Sequence, residues 1–169
     1  LDALQRYSQG IDQRNRLLRD ECSDRGLFDA VETQLDIYGT YLTSRRRVYI
    51  DRLRPIFEKY YSGIGGEKEC TGIGYVSQLE ASGAASLSEL FERNRRRDAI
   101  LHHSSSGPHR DDIEMTLDGM PVRRCASQGQ TKTFTSALRF AQYELLKESL
   151  GIGPLLLLDD IFDKLDAER

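Results

Sequence analysis

The segment that most constrains the fold is an apolar run near the end of the chain. Gly153-Pro154 is followed by the uninterrupted leucines Leu155 to Leu158, and then by Asp159 and Asp160. A short apolar run of this kind is typical of a β-strand buried on both faces. Ligands of such sheets bind beyond the carboxyl ends of the strands. Because adjacent carboxylates there need a cation, the run predicts a Walker-B strand with a magnesium ion that carries nucleotide phosphates.

Composition sets broad limits on what the chain can be. The 169 residues suffice for one domain, or for a small domain with an appendage. The net charge of −3 does not indicate nucleic-acid binding, but the runs Arg45-Arg46-Arg47 and Arg93 to Arg97 could form a local basic face. Cys22, Cys70 and Cys125 are far apart and form no CxxC pair, which argues against a zinc knuckle or a disulfide framework. Free thiols, the lack of a signal peptide and the lack of a membrane span predict a cytoplasmic protein.

The first part of the chain has the pattern of two helices. Apolar residues recur at helical spacing from Leu1 to about Arg19, and again from Leu27 to Ile56. Asp24-Arg25-Gly26 is expected to break the helix between them, and the Gly-rich stretch Ser62 to Gly66 is expected to be the joint where this part of the chain ends. Pro55 is expected to start or bend the last segment, because proline removes a helical hydrogen bond. The pattern predicts an antiparallel hairpin that forms a solvent-exposed arm, residues 1–62. The remainder, residues 63–169, is predicted to be a separate lobe.

The middle of the chain alternates between strand and helix patterns. Residues 73–76 have strand character, and a helix is predicted from Leu87 to Ile100. Residues 113–117 alternate at the period of a strand, and Asp118-Gly119 predicts a tight hairpin turn with a return strand that begins at Val122.

A polar loop lies between that helix and that strand, from His102 to Asp112. Three histidines near two aspartates could bind a metal ion, but their spacing fits no recognised ligand pattern. The favoured interpretation is a polar network of His109, Arg110, Asp111 and Asp112 at the entrance to the strand.

Ser127 and Gln130 have the spacing of a capping box and predict the start of a helix. The helix pattern continues to about Ser149, with Gly151 as a stop. An ordinary cap would explain these residues. The alternative is an anion site, since a helix start offers free N–H groups and Gly129 permits a close approach. The position of this helix, directly before the Walker-B-like strand, favours the anion site.

The order of these motifs resembles the signature motif, Walker B and D-loop of the ABC-type ATPases, and more closely the RecF family of recombination mediators. Residues 125–130 resemble the ASQGQ signature of that family, and residues 155–166 resemble its LLLDD…LD ending. Residues 107–112 resemble its GPHRDD stretch, and residues 13–18 resemble a QRNxLL element of its helical arm. The resemblance extends over nearly the whole chain.

The resemblance implies an α+β fold, in which a helical-hairpin arm joins the C-terminal lobe of an ABC-type P-loop ATPase head. A RecF protein begins with a Walker-A loop that ends in Gly-Lys-Ser/Thr, and the chain has no such pattern. We therefore expect a fragment of a longer protein, with Walker A upstream and a switch histidine beyond Arg169. Without Walker A, the fragment is expected to be inactive by itself.

The resemblance also implies how ATP would be used. Two heads would pair as a homodimer with two ATP molecules between them, and each signature motif would contact the ATP of the partner. The residues in that role would be Ser127, Gln128, Gly129 and Gln130.

The end of the chain would supply the remaining groups of the ATP site. Asp159 would hold Mg²⁺, and Asp160 would orient the attacking water. Most ABC ATPases have Glu at the position of Asp160, and the shorter side chain fits slow hydrolysis. Asp163 and Asp166, in the D-loop, would reach the partner head. The assembled protein would bind DNA at single-strand gaps and, with RecR and RecO, help RecA to load.

Other interpretations of the sequence are an SMC-like ATPase with a short arm, a non-catalytic interaction module whose arm is the working part, and a carboxylate-metal enzyme. The last would use Asp111, Asp112, Asp159 and Asp160 and requires these residues to converge. The GPHRDD stretch and the short hairpin favour the RecF family over SMC-like proteins.

Overall fold

A computed structural model of the chain describes residues 2–66 and 68–157. The structure is α+β, as predicted, and helices account for most of it. Its elements in chain order are α1 (Asp2–Arg19), α2 (Arg25–Gly65), β1 (Thr71–Val76), α3 (Gln78–Ser82), α4 (Leu87–Leu101), a 3₁₀ turn (Pro108–Arg110), β2 (Asp112–Leu117), β3 (Met120–Pro121), α5 (Val122–Cys125) and α6 (Gln128–Leu150). The strands form one sheet in the order β1-β2-β3. In the part of the chain that the structure describes, no helix is both long and apolar enough to cross a membrane.

The chain folds into two compact units that interleave in sequence. Among the described residues, unit 1 comprises residues 2–47 and 75–112, and unit 2 comprises residues 48–66, 68–74 and 113–157. Helix α2 therefore contributes residues to both units. The division into an arm of residues 1–62 and a lobe of residues 63–169 remains a prediction.

The core of unit 1 forms where α1, the first part of α2 and α4 pack together. Tyr7, Ile11 and Leu18 recur on one face of α1 at helical spacing and are buried. Tyr7 and Ile11 join a cluster of buried residues from the neighbouring helices, which contains Val31, Leu35, Leu87, Leu90 and Phe91. The spacing that predicted the first helix is thus the spacing of its buried face.

The core of unit 2 forms between the last turns of α2 and the first half of α6. Phe57 is fully buried and its ring lies 4.5 Å from that of Phe134, measured between centroids. Tyr61 packs against both rings, with centroid separations of 6.0 Å to Phe57 and 5.9 Å to Phe134. Burial of these large rings fixes the end of α2 against the start of α6.

The boundary between the first two helices is set by a local cap. The Asp24 carboxylate accepts the N–H groups of Gly26 (2.8 Å) and Leu27 (3.4 Å), which lie in the first turn of α2. Helix α2 then continues through Pro55 to Gly65 without ending. The predicted break is therefore confirmed, and Pro55 lies inside one helix rather than at the start of a new one.

The predicted hairpin turn is confirmed, but its return strand is shorter than expected. Asp118 and Gly119 have φ values of 49° and 77°, which two-residue hairpin turns require. Thr116 pairs with Pro121 in the antiparallel ladder. Val122 begins α5 instead of the return strand. Pro121 is tolerated here because it forms a non-hydrogen-bonded pair with Thr116, and the ladder ends where the chain turns into α5.

The Walker-B-like run does not form a strand in its described part. Residues 155–157 have neither helix nor strand, and Leu155 and Leu157 are 86% and 83% exposed. A strand must pair with a neighbouring strand, and among the described residues the sheet contains only β1, β2 and β3. The predicted strand is thus wrong for residues 155–157, while Leu158 and the aspartates lie outside the described residues.

Candidate functional site

The start of α6 is a complete capping box, as the sequence predicted. Ser127 is the N-cap, and its hydroxyl oxygen accepts the backbone N–H of Gln130 at 3.1 Å. In return, the backbone N–H of Ser127 donates to the side-chain oxygen of Gln130 at 2.7 Å. The reciprocal pair fixes the direction in which the chain enters the helix. The helix ends where predicted, with Gly151 in the left-handed conformation at φ 68°.

The outer side of this helix start is open. Ser127 and Gln128 are exposed, and a Cβ atom built on Gly129 would meet no atom closer than the Ser127 hydroxyl oxygen, at 3.9 Å. The packing of the chain therefore does not require glycine at this position. The first N–H groups of a helix have no acceptor within it, and they lie at the positive end of the helix dipole. The geometry fits an anion that approaches from outside, such as a phosphate group of ATP.

Glu69 supports the inner side of the capping box, a role that was not predicted from the sequence. The Gln130 side-chain amide donates to one Glu69 carboxylate oxygen at 2.9 Å. The Tyr61 hydroxyl donates to the other at 2.5 Å. Glu69 precedes Gln130 by 61 residues, so no local pattern connects them.

The GPHRDD-like stretch lies in unit 1, where His109 is held at both ring nitrogens. The Tyr7 hydroxyl is 2.9 Å from Nδ1, and the Ser104 carbonyl oxygen is 3.1 Å from Nε2. The arrangement is satisfied if Nε2–H donates to Ser104 and Nδ1 accepts from Tyr7. His109 is exposed on one side, but partial burial of the ring lowers its pKa and favours this neutral form. Burial also raises the pKa of Tyr7, which keeps its proton.

Asp111, which was predicted to share a polar network with His109, bonds to other residues instead. Its carboxylate accepts the hydroxyl of Tyr75 and, at 2.8 Å, the backbone N–H of Gln78. Burial, followed by the bond to Asp111, raises the pKa of Tyr75. Arg46 donates to the Pro108 carbonyl at 2.6 Å. The loop is thus tied to α2 through Pro108 and to the end of β1 through Asp111.

A buried ionic network beneath that loop was not predicted. Arg14 is fully buried and donates to Glu32 at 2.8 Å and to Asp98 at 2.7 Å. It also donates to the Ser104 hydroxyl at 2.8 Å, and the Asn15 amide oxygen accepts the backbone N–H of Ser104 at 2.7 Å. Because His109 also contacts the Ser104 carbonyl, Ser104 connects the QRNxLL-like and GPHRDD-like segments. The sequence did contain a signal, because Arg14 falls on the apolar face of α1.

Most arginines of the two basic runs are already engaged. Arg47 pairs with Glu80, Arg93 pairs with Glu89, and Arg95 pairs with Glu32 at 2.9 Å. Among the described residues, three exposed arginines of these runs make no ion pair or side-chain hydrogen bond with the protein. They are Arg45, Arg96 and Arg97.

No group of three or more His, Cys, Asp or Glu side chains in residues 2–66 and 68–157 is arranged to hold a metal ion. The Nδ1 atoms of His102 and His103 lie near the carbonyl oxygens of Leu18 (3.3 Å) and Leu101 (2.8 Å). Asp159, Asp160, Asp163 and Asp166 lie outside the described residues.

Comparison with known proteins gives relatives over the full chain. The chain is 44% identical over 169 residues to the DNA replication and repair protein RecF of Parabacteroides distasonis. It is 42% identical over 173 residues to the RecF protein of Cytophaga hutchinsonii. All of the chain is aligned in both cases. The chain belongs to the RecF family. It spans 46% and 45% of the length of these two relatives. No protein-family model matches the chain.

Solved RecF structures have the same fold. The structure of the recombination mediator protein RecF with ATP in the RecFOR pathway superposes with a TM-score of 0.87 at 27% identity. The match covers 99% of the chain and 47% of that structure. A second RecF structure from this pathway, with ATPrS, superposes with a TM-score of 0.85 at 26% identity. The ABC-type ATPase lobe expected from the sequence is therefore the RecF fold.

Proposed function

We propose that the RecF-type protein containing this chain dimerises on ATP, and that the start of α6 contacts the ATP bound by the second copy. The observation that supports this most directly is the complete capping box at Ser127 and Gln130, whose outer side is left open by Gly129. The ATP complexes of RecF structures with the same fold give further support.

The groups at the start of α6 would act on a phosphate as hydrogen-bond donors. The Ser127 oxygen already accepts the N–H of Gln130, so its hydroxyl proton is free to donate outward. The N–H groups at the start of a helix have no acceptor within it, and the helix dipole adds to their attraction for negative charge. Because these donors are fixed before ATP arrives, they favour binding without reorganisation.

The carboxylates at the end of the chain would complete the site. In this proposal Asp159 holds Mg²⁺ and Asp160 orients the attacking water. Mg²⁺ would neutralise charge on the phosphate oxygens. Asp163 and Asp166, in the D-loop, would reach the partner copy. These assignments rest on the order of motifs in the sequence.

We propose that the assembled protein binds DNA at single-strand gaps and works with RecR and RecO to help RecA load. The names of the relatives, which refer to DNA replication and repair, and the RecFOR pathway of the solved structures support this role. Arg45, Arg96 and Arg97 are the candidates for phosphate contact within the two basic runs, because the other arginines there have partners. Contacts of this kind should weaken as salt is raised.

The deciding experiment places a large cation at the site where the phosphate would bind. Ser127→Arg in the full-length protein should abolish ATP-dependent dimerisation, measured by light scattering with and without ATP. Nucleotide binding by the monomer should survive, because the ATP of that monomer contacts a different surface. Gln142→Arg is the matched control, since it adds the same side chain at an exposed position further along α6. Normal dimerisation of Ser127→Arg would contradict the proposal.

A further inference from the structure

The capping box is built against the end of α2, and not only within α6. A Cβ atom on Gly65 would lie 3.1 Å from the Thr133 methyl group and 3.2 Å from the Tyr61 ring, so the two helices are in close contact here. Phe57, Tyr61 and Phe134 continue this contact as a cluster of aromatic rings. The second turn of α6 therefore packs closely against the last turns of α2.

Glu69 is the polar link across this contact. Its carboxylate accepts from Tyr61, which is 1% exposed, and from the side-chain amide of Gln130. Both bonds are charge-assisted, which makes them stronger than bonds between neutral groups. Tyr61 is held by its ring contacts, so it fixes the carboxylate, and the carboxylate in turn fixes Gln130.

The bond from Glu69 decides the orientation of the Gln130 amide. Because the NH₂ group points to Glu69, the carbonyl oxygen points to the backbone N–H of Ser127. Without Glu69, the amide could rotate and leave the Ser127 N–H without its acceptor. The entry of the chain into α6 would then be held only by the Ser127 hydroxyl, and the donors on its outer side would lose a fixed direction.

We propose that Glu69 is a positioning residue for the signature motif: through Gln130 it holds Ser127 and the first N–H groups of α6 in the geometry that binds the partner's ATP. The proposal rests on the proposed function. It assigns Glu69 no contact with ATP. It also makes the end of α2 a support of the ATP contact, since Tyr61 anchors the carboxylate.

The test is Glu69→Ala in the full-length protein. We expect the ATP concentration at half-maximal dimerisation to rise about tenfold, as for the loss of one hydrogen bond to a charged group. Nucleotide affinity of the monomer should not change. Hydrogen exchange should become faster at the N–H groups of Ser127 and Gln130. If Glu69 served only general stability, exchange would not become faster at these positions alone. Glu148→Ala is the matched control, because it removes an exposed carboxylate of the same unit.

Two further variants make the result decisive. Glu69→Gln keeps an oxygen that can accept from Gln130 and should restore dimerisation to within about threefold of wild type. Glu69→Leu keeps the side-chain volume but removes the hydrogen-bond acceptor. This variant is used in place of Glu69→Ala if the alanine variant unfolds. Wild-type dimerisation of the folded Ala or Leu variant would overturn the role of Glu69. If Ser127→Arg dimerises normally, the proposed function itself fails.

Discussion

Arg14 shows how a single charged residue can organise a core. It lies on the buried face of α1 with two carboxylates, and its guanidinium lies 4.5 Å from the centre of the Phe91 ring. Such a network does not guarantee high stability, because taking charges out of water is costly. It does make the partners dependent on each other, since removal of one leaves an uncompensated charge in the core.

We predict that Arg14→Ala lowers the free energy of unfolding by about 3–5 kcal/mol, because Asp98 would remain buried without its cation and Glu32 would keep only its pair with Arg95. Equilibrium urea unfolding measures the change. Arg16→Ala, at an exposed position of the same helix, should change the free energy by no more than about 0.5 kcal/mol. Equal stability of the two variants would show that the network contributes nothing.

At the scale of elements, α2 contains two glycines whose surroundings differ. A Cβ atom on Gly39 would overlap Leu87 and lie 3.0 Å from the Tyr7 ring, whereas one on Gly63 would meet no atom within 4 Å. Alanine is favoured over glycine within a helix. Substitution by alanine should therefore lower the stability at Gly39 and raise it at Gly63.

Gly39→Ala is predicted to destabilise unit 1 by about 1–3 kcal/mol, because fully buried Leu87 has little room to move. Gly63→Ala is predicted to stabilise the protein by about 0.5–1 kcal/mol. Thermal unfolding of both variants tests the pair. A stabilising effect of Gly39→Ala would mean that α1, α2 and α4 are less closely packed than described.

Sequence reasoning succeeded where the determining contacts are local. The Asp118-Gly119 turn and the Ser127–Gln130 capping box depend on neighbouring residues and are confirmed. It failed where the determining partner is distant, as for Glu69. The leucine run was wrong in its described part because apolar character predicts burial but does not supply the neighbouring strands.

For the molecule as a whole, the proposed ATP contact is one half of a site. The chain has no Gly-Lys-Ser/Thr loop, which would hold the phosphates of a bound nucleotide. We therefore predict that the purified 169-residue chain neither binds ATP tightly nor hydrolyses it. Calorimetric titration and phosphate release measure the two properties. Turnover above that of Asp160→Ala, made in the same chain, would contradict the prediction.

The interleaving of the two units has a consequence for biosynthesis. Unit 1 has all of its residues once the ribosome has released residue 112, whereas the α2 segment of unit 2 must wait for α6. During that interval the Phe57 ring, fully buried in the finished fold, lacks the Phe134 ring of α6 against which it packs. Nascent chains that expose apolar surface are prone to aggregate. The newly made chain should therefore depend on chaperones most strongly between the emergence of α2 and that of α6.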